Sequence, residues 1–280
     1  MIGRKRKTYK PSQGAAAVVT GAASGIGRGF AYEIVRRGGS VICVDVDEQG
    51  AKAVAEELSS LGEGRAIGYQ CDVSDAAQME TLANKADELL GRPITLLINN
   101  AGVWVGGPMG KVSLEDWRWC LDVNLWGVIH GCHFFTPKFK ELGYGGIINV
   151  ASIAGFTAVP SFTTYNVTKS AVMSLSETLA AELTGTDIQV TALCPSAVKT
   201  NVVANGRLSE RTSKMANKVI GTSVFSETPE QVARTSLNAL DRRDMYIMPQ
   251  FDSRLLWRLK RFAPRTYAKI IGEVYKSNSA

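Results

Sequence analysis

The sequence predicts an α/β domain in which a doubly wound parallel sheet lies between two helical layers, a three-layer arrangement. Short apolar runs alternate with helical patterns along the chain, which favours parallel strands joined by helical crossovers. The runs are continuously apolar, as strands buried on both faces require. The first run passes directly into a glycine-rich turn and then a helix. With 280 residues and no repeat or linker, the chain suffices for one large domain.

Composition narrows the class of protein. Hydrophobic residues make up 45% and charged residues 21% of the chain, which is ordinary for a globular protein. No apolar run approaches the ~20 residues that span a bilayer, and the basic N-terminus lacks the apolar segment of a secretory signal. The five cysteines form no C-x-x-C pair and are expected to be buried thiols in a reducing cytoplasm. His130 and His133 have no third ligand nearby, so we expect a packed helix face and no metal site.

The net charge of +6 lies at the two ends of the chain. Residues 1–11 carry five cations and no acid, and residues 252–280 carry seven cations and two acids. The body between them therefore has a net charge of −4. This distribution argues against a nucleic-acid groove in the folded centre, so no nucleic-acid partner is expected.

The glycine-rich turn lies inside a strand–turn–helix–strand unit that is typical of dinucleotide binding. Its predicted elements are a strand over residues 14–20, a helix over 26–37 and a strand over 40–45. Gly21 permits the sharp turn, Gly25 lets backbone approach a pyrophosphate, and Gly27 allows the helix to pack closely on the strand. Free N–H groups at the helix N-terminus would hold the pyrophosphate.

Asp45 closes the second strand. A carboxylate there can accept hydrogen bonds from the adenosine ribose and repels a 2′-phosphate. Ser24 and Val46, on either side of that pocket, offer no positive charge, so we expect NAD rather than NADP. Arg28, just inside the helix, is the cation that could change this preference.

The middle of the chain continues the alternation of strands and helices. Its predicted elements are a helix over residues 48–61, a strand over 66–71, a helix capped by Ser74 and ending near Leu90, a strand over 94–98, and a helix over 113–142 broken near Pro137. Asn99-Asn100-Ala101-Gly102 follows the fourth strand. Asn124 lies in an otherwise apolar part of the long helix, where it would be a helix-bending residue satisfied by backbone.

The stretch from Ser152 to Lys169 is the predicted chemical centre. Ser152 follows a fifth apolar strand, residues 147–150, and Tyr165 and Lys169 lie one turn apart on a helix that begins near residue 163 and ends near 183. Open α/β sheets bind ligands at such strand ends. An ammonium beside the phenol lowers its pKa, so the pair can exchange a proton with an alcohol or carbonyl. The alternative is that Tyr165 packs at a helix edge and Lys169 is solvated.

The C-terminal part holds the last elements and a basic tail. A sixth strand over 188–193 leads to Pro195, residues 201–228 have no strong strand pattern and are interpreted as a lid, Thr228-Pro229-Glu230 begins a helix, and a short strand covers 246–248. The catalytic domain would cover 14–250, between a leader at 1–13 and a tail at 251–280. Pro264 divides the tail into two basic amphipathic helices. Docking on protein is favoured over peripheral contact with an anionic membrane, since amphipathic stripes usually face a protein core.

The motifs in this order resemble the short-chain dehydrogenase/reductase family, in its single-domain NAD(P)-binding branch. The resemblance covers about residues 14–250 and rests on the glycine turn, Asp72-Val73, residues 99–102, Asn124, Ser152, the Tyr165/Lys169 pair and Pro195 to Thr200. It implies a Rossmann fold with seven strands in the order 3-2-1-4-5-6-7. Ala151 and Ser196 depart from the family pattern.

The resemblance also implies residue roles. Tyr165 would be the general acid/base, Lys169 would lower its pKa and hold the nicotinamide ribose, Ser152 would orient the substrate oxygen, and Asn124 would hold a relay water. The implied cofactor-binding residues are Gly21, Ser24, Gly25, Ile26, Gly27, Asp45, Asp72, Val73, Asn99, Ala101, Gly102, Tyr165, Lys169, Pro195, Val198 and Thr200.

The sequence thus predicts an NAD-dependent oxidoreductase that interconverts an apolar, cyclic or bulky secondary alcohol and its ketone, working as a homodimer or homotetramer. The expected substrate-binding residues are Trp104, Ile153, Ala154, Phe156, Val159, Met215 and Val219, with Val105, Ile220, Val224 and Phe225 as further wall residues. Each of them could instead pack the core. The alternative function is a non-catalytic NAD(H)-sensing or scaffold protein on the same fold.

Overall fold

A computed structural model of the chain describes residues 9–61, 64–196, 198, 206–210, 212–214 and 227–277. The described strands are β1 (Ala16–Thr20), β2 (Ser40–Asp45), β3 (Ala66–Gln70), β4 (Leu96–Asn99), β5 (Val105–Gly106), β6 (Tyr144–Val150), β7 (Asp187–Leu193), β8 (Arg207–Leu208) and β9 (Tyr246–Ile247). Seven of them form a parallel sheet in the order β3-β2-β1-β4-β6-β7-β9. Counted within this sheet, the order is the predicted 3-2-1-4-5-6-7, so the Rossmann arrangement is confirmed.

Helices cover both faces of the sheet. They are α1 (Gly25–Arg36), α2 (Glu48–Ser59), α3 (Ala76–Leu90), α4 (Leu114–Leu121), α5 (Gly127–Leu142), α6 (Ala154–Thr157), α7 (Thr163–Glu182), α8 (Pro229–Asp241), α9 (Phe251–Phe262) and α10 (Pro264–Ser277). Most predicted elements are present, and their ends differ from the observed ones by up to three residues.

The core has two halves because side chains of a strand point alternately to opposite faces. Val18 of β1 lies in the cluster that includes residues of α3, α5 and α7, whereas Val19 lies in the cluster that includes residues of α1, α2 and α8. Both valines are fully buried. The central strand is therefore apolar on both faces, as its sequence predicted.

The N-cap of α8 is the residue that the sequence predicted, whereas the N-cap of α3 is not. Thr228 caps α8 and forms a capping box with Gln231, as the Thr-Pro-Glu pattern indicated. Ser74, however, is not the cap of α3. Asp75 accepts hydrogen bonds from the backbone N–H groups of residues 77 and 78, while the Ser74 hydroxyl donates to Asp72. Ser74 and Asp75 are adjacent and can both cap a helix, so the sequence pattern does not distinguish them. The backbone geometry places Asp75 at the N-cap.

The predicted long helix is irregular at Asn124 and not at Pro137. Residues 122–126 form a π-helical segment between α4 and α5, and α5 continues through Pro137. The predicted break near Pro137 is therefore wrong. The π segment inserts one extra residue per turn, which redirects the side chain of Asn124. Such segments often accompany functional sites, and this one lies beside the candidate site described below.

A small second sheet was missed by the sequence analysis. Within the region interpreted as a lid, β8 pairs in parallel with β5. Two-residue strands are too short to show a pattern, and this pair forms between distant segments of the chain. Most of the lid lies outside the described residues, and so do six predicted contact residues: Thr200, Met215, Val219, Ile220, Val224 and Phe225.

The tail forms two helices that meet at Pro264, as predicted. One side of the tail faces the body: Ser253 and Tyr267 are buried, and Trp257 packs against residues of the core. The Tyr267 hydroxyl donates a hydrogen bond to the backbone carbonyl of Thr157 in α6. No helix in the described parts of the chain has the length and apolar character needed to cross a membrane.

Candidate active site

The glycine turn at the end of β1 has no room for side chains. Gly21 and Gly25 have φ values of +65° and +55°, in the left-handed region that favours glycine. A Cβ at Gly27 would lie 2.1 Å from the carbonyl oxygen of Gly21. Gly27 was expected to allow the helix to approach the strand, and its tightest contact is in fact with the turn itself. Side chains here would fill the cradle at the start of α1.

Asn100 holds this turn in place. Its side-chain amide donates to the carbonyl oxygens of Thr20 and Gly21, at 2.8 and 3.1 Å. The Thr20 hydroxyl in turn accepts from the backbone N–H groups of Asn100 and Ala101, both at 3.0 Å. The sequence analysis quoted Asn100 only within a motif and gave it no role. A role for Asn100 could have been predicted from its position, because it is a polar residue directly after β4, and β4 lies beside β1 in the sheet.

The N-terminus of α1 can receive an anion. Ser24 is the N-cap residue, is exposed, and makes no side-chain hydrogen bond to the helix. The first N–H groups of a helix have no partner within it, and the helix dipole favours negative charge there. Together with the side-chain-free cradle at Gly21 and Gly27, this end of α1 fits the pyrophosphate of a dinucleotide.

Asp45 lies directly beside the glycine turn. Its carboxylate accepts from the backbone N–H of Ala23 at 3.0 Å and from that of Asp47 at 3.1 Å. The neighbouring Val46 is exposed and apolar. Arg28, the cation that could have neutralised this region, instead forms an ion pair with Glu57, at 2.6 and 2.9 Å.

Three predicted cofactor residues, Asp72, Val73 and Asn99, have polar groups that already form hydrogen bonds within the protein. The Asp72 carboxylate accepts hydrogen bonds from Ser74, and the Val73 carbonyl accepts one at 2.8 Å from Nδ1 of His130. This hydrogen bond joins His130 to the body, whereas His133 is exposed, so the expected packed helix face is found for only one of the two histidines. No metal-binding cluster occurs among the described residues. The side chain of Asn99 is buried and donates to Asn149 at 2.8 Å. Asn99 therefore cannot offer its side chain to a cofactor, and only its backbone faces the turn.

Ser152, Tyr165 and Lys169 converge at the carboxyl end of β6. Ser152 is buried and its Oγ accepts from the N–H of Ala154 at 3.1 Å. On α7, Nζ of Lys169 lies 5.6 Å from the ring centroid of Tyr165 and donates to the carbonyl of Val150 at 2.8 Å. The helical spacing predicted from the sequence thus places the amine and the phenol next to each other, beside the serine.

The electrostatics of the pair differ from the expectation. Burial raises the pKa of Tyr165, opposed by hydrogen bonding with the side chains of Trp104 and Ser152. Burial lowers the pKa of Lys169 to about 8. The predicted lowering of the Tyr165 pKa by Lys169 is not found in this arrangement, because the lysine is itself desolvated and its Nζ is directed at a backbone carbonyl. Desolvation is the largest influence on the pKa of each of the two side chains.

Asn124 holds the backbone of Val103 beside the site through two hydrogen bonds. Its Oδ1 accepts from the N–H of Val103 at 2.7 Å, and its Nδ2 donates to the carbonyl of the same residue at 2.9 Å. A Cβ at Gly102 would lie 3.2 Å from Oδ1 of Asn124 and 3.6 Å from Nζ of Lys169. Asn124, Gly102 and Lys169 are therefore neighbours, and the π-helical segment directs the amide toward them. The expected relay water stays a prediction.

The residues predicted to bind substrate separate into two groups. Trp104 is central, since its ring lies 5.5 Å from Tyr165 and 5.5 Å from Phe162, both edge-on. Ile153, Ala154 and Val159 lie on the segment that leads from Ser152 to α7, with Ile153 and Val159 half-buried. Three expected wall residues belong to the core: Ala154, Phe156 and Val105 are buried. Phe162 was missed because it directly precedes the helix and has no recognisable spacing.

The segment after β7 forms hydrogen bonds with the candidate site and with residues at the start of the tail. The carbonyl of Pro195 accepts from the N–H of Ile153 at 3.0 Å. Ser196 donates its N–H to Gln250 at 3.0 Å and its hydroxyl to Asp252 at 3.1 Å. Val198 pairs with Glu227 across the lid region. Gln250 and Asp252 were not singled out in the sequence, since their partners are far away in the chain.

Comparisons with known proteins identify similar sequences and structures. A model of the family described as short chain dehydrogenase matches residues 15–211. Probable oxidoreductase EphD of Mycobacterium tuberculosis is 38% identical over 187 residues, 66% of this chain but only 31% of that protein, so this chain spans less than a third of it. D-threitol dehydrogenase of Mycolicibacterium smegmatis is 36% identical over 189 residues, 68% of this chain and 72% of that one. A short chain dehydrogenase/reductase from Burkholderia phymatum, crystallised with NAD, aligns with a TM-score of 0.83 and 31% identity, covering 90% of this chain and 94% of that one.

Proposed function

The chain belongs to the short-chain dehydrogenase/reductase family, an oxidoreductase family, and from this premise we propose that it interconverts a bulky secondary alcohol and its ketone with NAD. The observation that carries the proposal is the convergence of Ser152, Tyr165 and Lys169 at one strand end, beside a glycine cradle. An assay of NAD(H)-coupled turnover across a panel of alcohols and ketones tests it.

The chain's own residues would manage the proton and the substrate oxygen. A bound nicotinamide supplies the hydride acceptor for oxidation and the donor for reduction. The Tyr165 phenol exchanges a proton with the substrate oxygen, which the Ser152 hydroxyl orients by hydrogen bonding. Lys169, whose Nζ lies 5.6 Å from the ring centroid, would hold the nicotinamide ribose beside the phenol. Trp104 covers the phenol on one side and limits the access of water.

NAD is proposed over NADP on the basis of charge. The Asp45 carboxylate lies beside the glycine turn, where it can accept from ribose hydroxyls and repels an added phosphate. Arg28 is held by Glu57 and, at 3.9 Å, by Glu230. Values of kcat/KM for the two cofactors test this preference. A kcat/KM with NADP that equals or exceeds the value with NAD would overturn it.

The proposed substrate is apolar near its reacting carbon. Trp104 packs edge-on against both Tyr165 and Phe162, and Ile153 directly follows the buried Ser152, so apolar side chains lie next to the proposed catalytic groups. D-threitol dehydrogenase, a relative by sequence, carries the name of a small polyol, so the substrate panel should contain polyols beside cyclohexanol-like, terpenoid and steroid alcohols. A clear preference for charged or polyol substrates would contradict the apolar proposal.

The competing proposal is a binding protein that senses NAD(H) without turnover. It is favoured only if the full panel yields no cofactor-coupled reaction while NAD still binds. The phenol of Tyr165 beside the buried hydroxyl of Ser152 supports catalysis instead, because binding NAD alone does not require such a pair.

We further propose a homodimer or homotetramer. Trp126 of the π-helical segment is 50% exposed and Val167 of α7 is 44% exposed, so both elements present large apolar side chains to solvent. These are the two elements expected at the subunit interface. Light scattering at micromolar concentration checks the state, and a monomer alone would contradict the proposal.

A further inference from the structure

The tail helices α9 and α10 have two different faces. The inner face holds the tail to the body through the buried residues Ser253 and Tyr267 and through Trp257. Tyr267 reaches the backbone of Thr157, and its ring lies 6.0 Å from Nζ of Lys260. The predicted docking of the tail on its own protein therefore occurs, but it uses only one side of each helix.

The outer face combines large apolar side chains with cations. Leu255 and Phe262 of α9 are 57% and 81% exposed, and Ile270 of α10, which borders the inner face, is 45% exposed. Arg258, Arg265 and Lys269 are exposed among them, and none of the ion pairs between described residues involves these three cations. Leu255, Arg258 and Phe262 follow helical spacing and share one side of α9, as Arg265 and Lys269 do on α10.

We propose that the outer face of α9 and α10 binds the surface of an anionic lipid bilayer. Basic side chains on such a face attract anionic headgroups, and exposed apolar side chains between them enter the boundary with the acyl chains. Phe262 lies at the junction of the two helices, where it projects from the protein with most of its surface in solvent. The tail would lie on the membrane, and it would not cross it.

Charge argues against the same face of a second copy of this chain as the occupant. Residues 252–280 carry seven cations and two acids, so two tails placed face to face would repel each other. A nucleic acid would use the cations, but it would leave Leu255 and Ile270 exposed to water, since bases stack on aromatic rings and not on aliphatic chains. A bilayer of anionic lipid satisfies both kinds of side chain at once.

The surface also lies close to the candidate active site, because the inner face of α10 contacts α6, directly after Ser152. If the proposed apolar substrate is correct, membrane binding would bring the site to the phase in which such alcohols dissolve. This consequence rests on the proposed function. The binding itself does not, and it is measured without turnover, so the two can fail separately.

The test is flotation of the full chain with phosphatidylcholine vesicles that contain or lack phosphatidylglycerol, at low and high salt. The charge variant is Arg258→Glu, Arg265→Glu and Lys269→Glu. Its matched control changes three exposed cations of the body: Arg65→Glu, Lys85→Glu and Lys140→Glu. Both variants change the net charge equally. We expect the unaltered chain to float only with anionic vesicles and less so at high salt, with the partition coefficient falling on the order of 100-fold in the charge variant and far less in the control.

A second variant, Phe262→Ser, separates lipid from other acidic partners. It should lower vesicle binding about tenfold while leaving retention on polyglutamate and heparin unchanged. Melting temperatures verify that the variants fold, as their exposure indicates. The proposal is overturned by equal flotation with neutral vesicles, by equal losses in the charge variant and its control, or by vesicle binding that is indifferent to Phe262. The last result would indicate a soluble polyanion as the partner.

Discussion

The Tyr267 hydroxyl donates a hydrogen bond to the backbone carbonyl of Thr157, and this contact joins the C-terminal tail to the segment that follows Ser152. Thr157 is itself bonded to that segment, since its hydroxyl donates to the carbonyl of Ile153 at 2.9 Å. The backbone is already constrained nearby, where Ala158 and Ser161 adopt positive φ values of 52° and 65°. The tail thus supports a strained loop that borders the candidate substrate site.

We expect Tyr267→Phe to raise KM for the alcohol severalfold and to leave the affinity for NAD unchanged. The variant removes a single hydrogen bond to a buried carbonyl, which costs about 1 kcal/mol of stability. Initial rates and calorimetric titration with NAD measure the two effects. Tyr32→Phe, at an exposed position of α1, is the matched control. Equal kinetics in the two variants would show that the tail does not shape the site.

Tyr165→Phe is expected to lose turnover by on the order of 10²–10⁴-fold, because the proton donor and acceptor is removed. The pyrophosphate cradle at Gly21 and Gly27 is separate from the phenol, so NAD should still bind. Stopped-flow or steady-state rates and a fluorescence titration report the two quantities. Turnover within a few-fold of the unaltered enzyme would refute the proposed proton path.

The stability of the protein should reveal the buried amine of Lys169. Burial lowers its pKa from the ordinary value of 10.5 to about 8. Between these pH values the unfolded chain binds more protons at this lysine than the folded chain does, so the lysine's contribution to the free energy of unfolding rises with pH. Relative to Lys169→Met, the unaltered protein should gain up to about 1 kcal/mol for each pH unit in this window.

Urea unfolding of both proteins from pH 8 upward measures this difference. Taking the difference is necessary because the buried thiols act in the opposite direction. Burial raises the pKa of Cys43 and that of Cys71 to about 12, which weakens the fold as the pH rises, equally in both proteins. A difference that is flat or falls with pH would mean that Lys169 is not desolvated.

The sequence was most informative where function depends on local spacing. Tyr165 and Lys169 are one helical turn apart, and Gly21 and Gly25 adopt the left-handed conformations that a tight turn requires. Such features depend on only a few residues that are close together in the sequence. The alternation of strands and helices predicted the parallel sheet, and the family resemblance implied its strand order, which agrees with the structure.

The sequence was least informative where a residue's role depends on a distant partner. Asn99 and Asn100 are adjacent and identical in type, yet Asn99 turns into the core and Asn100 holds the glycine turn. Strand geometry sends neighbours to opposite sides, and only the register of the sheet decides which side is which. Gln250 and Asp252 gain their roles from Ser196, more than 50 residues away.

Asn124→Ala should destabilise the protein by about 2–4 kcal/mol, because it leaves both backbone groups of Val103 without their partners. Turnover should fall as well, since Val103 leads into Trp104. Asn124→Asp is the sharper comparison: it preserves the acceptor for the N–H but places an oxygen against the carbonyl. Thermal unfolding and kcat follow both effects. An unchanged melting temperature in Asn124→Ala would show that the two hydrogen bonds from Asn124 to Val103 do not stabilise the protein.

Cofactor preference should shift when the charges around the glycine turn are changed. Asp45→Ser removes the carboxylate that repels a 2′-phosphate, and we expect the ratio of kcat/KM for NADP to that for NAD to rise about tenfold or more. Glu57→Gln alone should do little, because Asp45 still repels the phosphate. It does, however, release Arg28 from the ion pair at 2.6 Å.

The combination of Asp45→Ser and Glu57→Gln should therefore raise the ratio further than Asp45→Ser does. A freed guanidinium at the start of α1 can pair with the added phosphate, for which arginine has a suitable geometry. Glu56→Gln, an exposed neighbour, is the matched control when combined with Asp45→Ser. If both double variants behave alike, Arg28 does not reach the cofactor. In that case the preference for NAD rests on the Asp45 carboxylate alone.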